Sequence, residues 1–101
     1  MREKIDDKTL QEAHILLHPI RYRIVELLAE KPMHINEISR VMGDERRFVT
    51  YHLRLLEECG FLSSKYKISP EKKSKGKSLK IYKTTERVEQ TISKLREQWT
   101  K

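Results

Sequence analysis

The 101-residue chain carries 22 Lys+Arg against 15 Asp+Glu and four His, a formal charge of +7, with 37% apolar and 37% charged residues. That length suits one domain with a small core and a long solvated or partner-facing periphery. No apolar run approaches the roughly 18 residues of a membrane span. Met1 to Asp7 is rich in charge where a signal peptide would continue into an apolar stretch, so a cytoplasmic protein without a membrane partner is expected. A single cysteine, Cys59, excludes an intramolecular disulfide or a thiolate-rich zinc site within one chain.

Taken in chain order, Leu10, Ala13 and Leu17 share one helical stripe over residues 8–17, with Ile5 and Leu16 nearby. Pro19 cannot continue that helix but suits the first position of a new one, so His18-Pro19 restarts the chain. Ile20, Ile24, Leu27 and Leu28 then mark a second amphipathic helix that stops near Pro32. Ile35, Ile38, Val41 and Met42 predict a short third helix ending at Gly43, which is suited to the left-handed cap. A fourth helix is expected from about Asp44, as cap, to Cys59, with Val49, Leu53 and Leu56 inward. The period then changes to two. Residues 61–68 and 79–84 alternate as half-buried strands, and Ser69 to Ser78 forms the loop between them. From Thr85 to Trp99 the helical pattern returns, with Val88, Ile92, Leu95 and Trp99 on one stripe.

Four helices, a strand, a loop, a second strand and a fifth helix make a mainly α fold with a small β-hairpin, the order of a winged helix-turn-helix. A single domain over residues 1–101 is expected, with the helix-turn-helix at 34–59, the wing at 62–84 and outer helices at 5–17 and 85–100. Charge supports that layout. Leu62 to Lys83 holds eight lysines and one acid, Glu71, a net +7, so the remaining residues balance at 14 basic and 14 acidic. A basic block on a neutral body is the footprint of a polyanion contact, although a solvated lysine loop would have the same composition.

With Val49, Leu53 and Leu56 inward, Arg46, Arg47, Thr50, Tyr51 and Arg54 occupy the outer face of the fourth helix. Arginine can read guanine bidentately, threonine offers a hydroxyl and a methyl, and tyrosine reaches a phosphate or a thymine methyl. The arginines could instead only balance Asp44, Glu45, Glu57 and Glu58, but the basic hairpin that follows at once favours double-stranded DNA as the partner. In that reading Arg46, Arg47, Thr50 and Tyr51 meet base edges or nearby phosphates, while Arg54 and the wing lysines Lys72, Lys73, Lys75 and Lys77 grip the backbone.

Through the stretches His18 to Leu28 and Thr50 to Leu62, residues 14–84 resemble the ArsR-type winged-helix family of prokaryotic repressors. The stretch from His18-Pro19-Ile20-Arg21 through Ile24-Val25 to Leu28 is similar to the family's Asp-Pro-x-Arg-x-x-Ile-Leu-x-x-Leu opening, with His18 in place of the Asp. Thr50-Tyr51-His52-Leu53-Arg54-Leu55-Leu56, continued to Gly60-Phe61-Leu62, is similar to its Ser-x-His-Leu-x-x-Leu-x-x-x-Gly-Leu signature. The resemblance implies a homodimeric DNA-binding transcriptional regulator whose outer helices form the dimer. It does not extend to the family's metal sensors. Met33-His34-Ile35-Asn36-Glu37-Ile38 stands where they carry a Cys-x-Cys pair, and residues 85–101 contain no histidine for the alternative site. No metal or cofactor is therefore expected.

Other residues admit more than one reading. His14 and His18 have the spacing of a metal pair, but Pro19 favours a cap and a packing or dimer contact. By the family resemblance His52 reads as a packing residue, with phosphate contact as the alternative, and Cys59 reads as a small buried hydrophobe rather than an intermolecular disulfide or a thiol switch. The Val88, Ile92, Leu95, Trp99 stripe could pack on its own domain or form a seam with a second chain. The seam is preferred, with Leu10, Ala13 and Leu17 completing it, because a lone domain would otherwise expose that stripe. No nucleophile stands at recognisable spacing from a base, and Gly76 is isolated among lysines, so an enzyme is not expected. Two rivals to the regulator remain: a winged-helix module that docks on protein, and a ligand- or metal-responsive sensor with an unrecognised effector site.

Overall fold

The computed structural model describes residues 5–68 and 78–99. The expected wing lysines Lys72, Lys73, Lys75 and Lys77 lie outside that set. Five helices appear, α1 (Asp7–Leu16), α2 (Pro19–Glu30), α3 (Ile35–Met42), α4 (Arg46–Glu58) and α5 (Glu86–Trp99), with strands β1 (Met33–His34), β2 (Leu62–Ile68) and β3 (Ser78–Thr84). The sheet is antiparallel in the order β1-β3-β2. The arrangement is a winged helix-turn-helix.

Helix boundaries follow the local chemistry. Asp6 caps α1 by accepting from the Thr9 amide at 2.7 Å. His18 caps α2 through Nδ1, which accepts from the Ile20 amide at 3.1 Å, and His34 caps α3 the same way from Asn36 at 3.1 Å. Each satisfies an amide the helix cannot pair internally. Gly43 ends α3 at φ +74° and Gly60 follows α4 at φ +84°, where an L side chain would be strained. After α4, the Gly60 amide bonds to the Glu57 carbonyl and the Phe61 amide to the Leu56 carbonyl, a Schellman closure. Thr85 fastens α5 to this corner: its hydroxyl donates to the Gly60 carbonyl at 2.6 Å and accepts from the Arg87 amide at 3.2 Å.

Asp44 does not cap α4. Its amide bonds back to the Ser39 carbonyl, so it belongs to the turn that closes α3. Glu45 takes the cap position, and its side chain makes no cap bond. The strand β1 was not legible in the sequence, since two residues carry no period. It exists because Met33 and His34 pair with Tyr82 and Ile81 of β3.

The core joins Leu16, Ile24, Leu28, Ile38, Val49, Leu53, Leu56, Phe61, Leu62 and Tyr82, so α4 is held from behind by α2, α3 and the sheet. Each large aliphatic buried in this way contributes roughly 1.5–3 kcal/mol. The end stripe divides. Ala13 and Val88, both expected at a seam between chains, are buried within this one, Val88 at 9% exposure in the main core. Both are small, and with buried Thr9 and Thr91 they let α1 and α5 pack closely. Cys59 is half-buried against the core rather than enclosed.

Candidate nucleic-acid interface

Helix α4 presents two faces because Val49, Leu53 and Leu56 are wholly buried on one of them. On the other, Arg46, Arg47, Thr50, Tyr51 and Arg54 line one shallow groove of about 540 Å³ with no acidic side chain in its wall. All five residues expected on the α4 face are therefore brought together. Tyr51 is 57% exposed, its ring edge-on to His52 with centroids 5.1 Å apart. The Thr50 hydroxyl donates to the Arg46 carbonyl at 2.8 Å, which leaves its methyl and its lone pairs for a partner.

The placement of the arginines is costly for an isolated helix. Arg46 and Arg47 open α4 at the positive end of its dipole, and its first turn contains no acid. Cations there lose about 0.3–1 kcal/mol each, whereas an anion at the same end gains. Neither Arg46, Arg47 nor Arg54 lies in a salt bridge among the described residues. The helix end and both guanidinium groups thus favour the same kind of ligand, a polyanion.

Behind this face sits a buried polar cluster that sequence reasoning resolved only in part. Arg21, 5% exposed, donates through Nε to the Ile15 carbonyl at 2.6 Å and through Nη1 to His52 Nδ1 at 3.3 Å. His18 packs on His52 at 5.1 Å between centroids, and Phe48 meets it edge-on at 4.7 Å. His52 is thus a packing residue that ties α4 to α2. Burial, followed by Arg21 and His18, holds its imidazole below the ordinary value, against a smaller opposite pull from Asp44. Since arginine only donates, Nδ1 must be unprotonated and Nε2 carries the hydrogen. His34 is likewise lowered by burial and then by Arg46, with Glu37 opposing.

The hairpin adds exposed Tyr66 on the sheet face toward α4 and exposed Lys65, Lys67 and Lys83 on the opposite face. Its register pairs Ser64 with Tyr82 and Tyr66 with Lys80 on the face toward α4, and Lys65 with Ile81 on the other. Elsewhere, His14 lines a separate groove with Leu10, Ile15 and Cys59. His18 is occupied by its cap, so the structure does not bring His14 and His18 together. Burial, then Glu12 and Glu58, raise the Cys59 thiol, which disfavours the reactive thiolate. Among the described residues, no group of three or more His, Cys, Asp or Glu is disposed to hold a metal ion.

Ile5, Leu10, Ala13, Leu17, Ile92, Leu95, Arg96 and Trp99 line an apolar groove of about 490 Å³ between α1 and α5, with Ala13 at its floor at 6% exposure. Trp99 is 75% exposed there. No helix among the described residues is long and apolar enough to cross a membrane.

Residues 16–64 match the sequence profile of the family described as helix-turn-helix domain. No curated protein sequence matches the chain. Among solved structures, the chain is similar to the transcriptional regulator homologue protein from Pyrococcus horikoshii OT3, with 22% identity over 88% of this chain and 91% of that one, at a TM-score of 0.65. It is similar to the reduced form of the transcriptional regulator YodB from B. subtilis, with 17% identity over 96% and 90% of the two chains and a TM-score of 0.69. A possible transcriptional regulator for arsenical resistance shares 20% identity over 88% of this chain and 80% of that one, at a TM-score of 0.63. At these identities the likeness establishes the winged helix-turn-helix fold.

Proposed function

We propose that the protein is a sequence-specific, double-stranded DNA-binding transcriptional regulator, a repressor of ArsR type, that acts in the cytoplasm as a homodimer on a palindromic site. The observation that carries this reading is the start of α4, where Arg46 and Arg47 share the positive end of an uncapped helix and open onto an acid-free groove with Thr50, Tyr51 and Arg54. Such a surface is stabilised by phosphate and equipped to read a base edge. The basic hairpin beside it supplies backbone contacts that position the helix without specifying sequence. The apolar groove of α1 and α5 supports the dimer, since a second copy would cover Leu10, Leu17 and Trp99 together. Two such helices spaced one DNA turn apart, roughly 34 Å, would meet inverted half-sites.

Selection of bound duplexes from a random pool tests the reading. The expected result is an enriched inverted repeat whose preference weakens in Arg47→Ala. Enrichment of no sequence, with unaltered binding by Arg46→Ala and Arg47→Ala, would instead indicate a protein-docking module.

A further inference from the structure

Glu57 lies in the last turn of α4, and both of its carboxylate oxygens are engaged by the hairpin. The Ser64 hydroxyl of β2 donates to Oε2 at 2.6 Å, and the Lys80 ammonium of β3 lies 3.6 Å from Oε1. The register makes Ser64 and Lys80 diagonal neighbours on one face of the sheet, so one side chain spans both strands. Lys80 is further placed over the rings of Tyr82 and Tyr66, at 5.2 and 5.9 Å from their centroids. Burial pulls the Lys80 ammonium down, but Tyr82, Glu57 and Tyr66 outweigh it and raise it above its ordinary value.

An acid at this place is unexpected if the lysine-rich hairpin only attracts a polyanion, because a carboxylate would repel the same ligand. Its bonds give it another use. We propose that Glu57 is a positioning residue that fixes the angle between α4 and the hairpin, so that the arginine groove and the hairpin lysines engage one duplex together. This inference rests on the DNA-binding reading above. The lever is long enough to matter: Ile68 is four residues beyond Ser64 along β2, or roughly 13 Å at about 3.3 Å per residue. A tilt of about 10° at the root displaces that point by roughly 2 Å, several times the ~0.5 Å width of a hydrogen-bond distance range.

Glu57→Ala and Glu57→Gln remove the same charge, but only Gln retains an oxygen to accept from Ser64. If charge alone matters, both variants bind all duplexes equally and more tightly than wild type. If Glu57 positions the hairpin, Glu57→Ala binds the selected duplex about tenfold more weakly, and its log-log salt slope is shallower by at least the ~0.9 of one phosphate contact. Glu57→Gln should then stay within about threefold of wild type, and Ser64→Ala should fall on the weak side.

Residual dipolar couplings of the DNA-free 101-residue chain give an independent readout. One alignment tensor should fit α4 and the β2–β3 amides in wild type and fail for the hairpin in Glu57→Ala. Equal binding by the Ala and Gln variants, or a common tensor retained in Glu57→Ala, overturns the inference while leaving DNA binding intact. A wild-type chain that binds no duplex at low salt overturns the underlying reading and the proposed use of Glu57 together.

Discussion

Acidification from about pH 7.5 to about 5.5 should destabilise the fold through two imidazoles. His34 Nδ1 accepts from the Asn36 amide at 3.1 Å and His52 Nδ1 accepts from Arg21 Nη1 at 3.3 Å, so a proton on either nitrogen removes its bond. Both groups lie below the ordinary 6.5 in the folded chain, chiefly through burial and then through Arg46 for His34 and Arg21 for His52. The unfolded chain therefore takes up protons first. Stability is full above 6.5, falls as the pH drops below it and levels off beneath the folded-state values. Protonation below 6.5 is worth about 1.4 kcal/mol per pH unit for each imidazole, so over the one unit from 6.5 to about 5.5 the combined effect is at most about 2.7 kcal/mol. For a domain of this size that lowers Tm by up to about 10–20 °C.

Thermal unfolding followed by circular dichroism checks this, at one protein concentration because self-association shifts Tm. His34→Asn keeps a capping acceptor that does not titrate, and His52→Asn places a carbonyl near the position of Nδ1. The double variant should have a lower Tm at neutral pH, from lost ring packing on Phe48 and His18, but a much smaller change between the two pH values. The reasoning is refuted if the double variant loses as much Tm on acidification as wild type.

Replacing Lys72, Lys73, Lys75 and Lys77 with Ala should reduce the salt slope of DNA binding by up to about 3.6, from about 0.9 per phosphate, while the sequence preference stays as in wild type; titration across salt concentrations measures it. In the proposed dimer, Trp99→Ser should raise the dissociation constant at least tenfold without unfolding the chain, since Trp99 is 75% exposed and absent from the core; sedimentation equilibrium would show it, and an unchanged constant would remove the α1–α5 groove as the seam. Gly60→Ala should cost about 1–2 kcal/mol for its left-handed backbone, and more than Gly43→Ala. A methyl at Gly60 would meet Arg87 Cδ at 3.0 Å, whereas at Gly43 nothing lies within 4 Å. Urea midpoints with unchanged slopes are the measure.

The sequence by itself determined the order of the five helices and the two hairpin strands, the buried face of α4 and hence its arginine face, because a helix with Val49, Leu53 and Leu56 inward leaves only one set of side chains outward. It also determined where the net charge lies, which needs no structure. Periodicity could not say what a stripe packs against. Ala13 and Val88 share a pattern with Leu10 and Trp99, yet the first two are covered within the chain and the last two are exposed.

Only the tertiary structure decided the contacts between residues distant in sequence. Two residues became β1 because β3 was beside them, and Arg21 could be buried because His52 and the Ile15 carbonyl accept its hydrogens. Glu57 read as one more acid balancing the arginines until the register placed Ser64 and Lys80 on either side of its carboxylate. Propensity and period act over a few neighbours. A side chain that joins α4 to two strands takes its role from packing that brings together segments no local pattern relates.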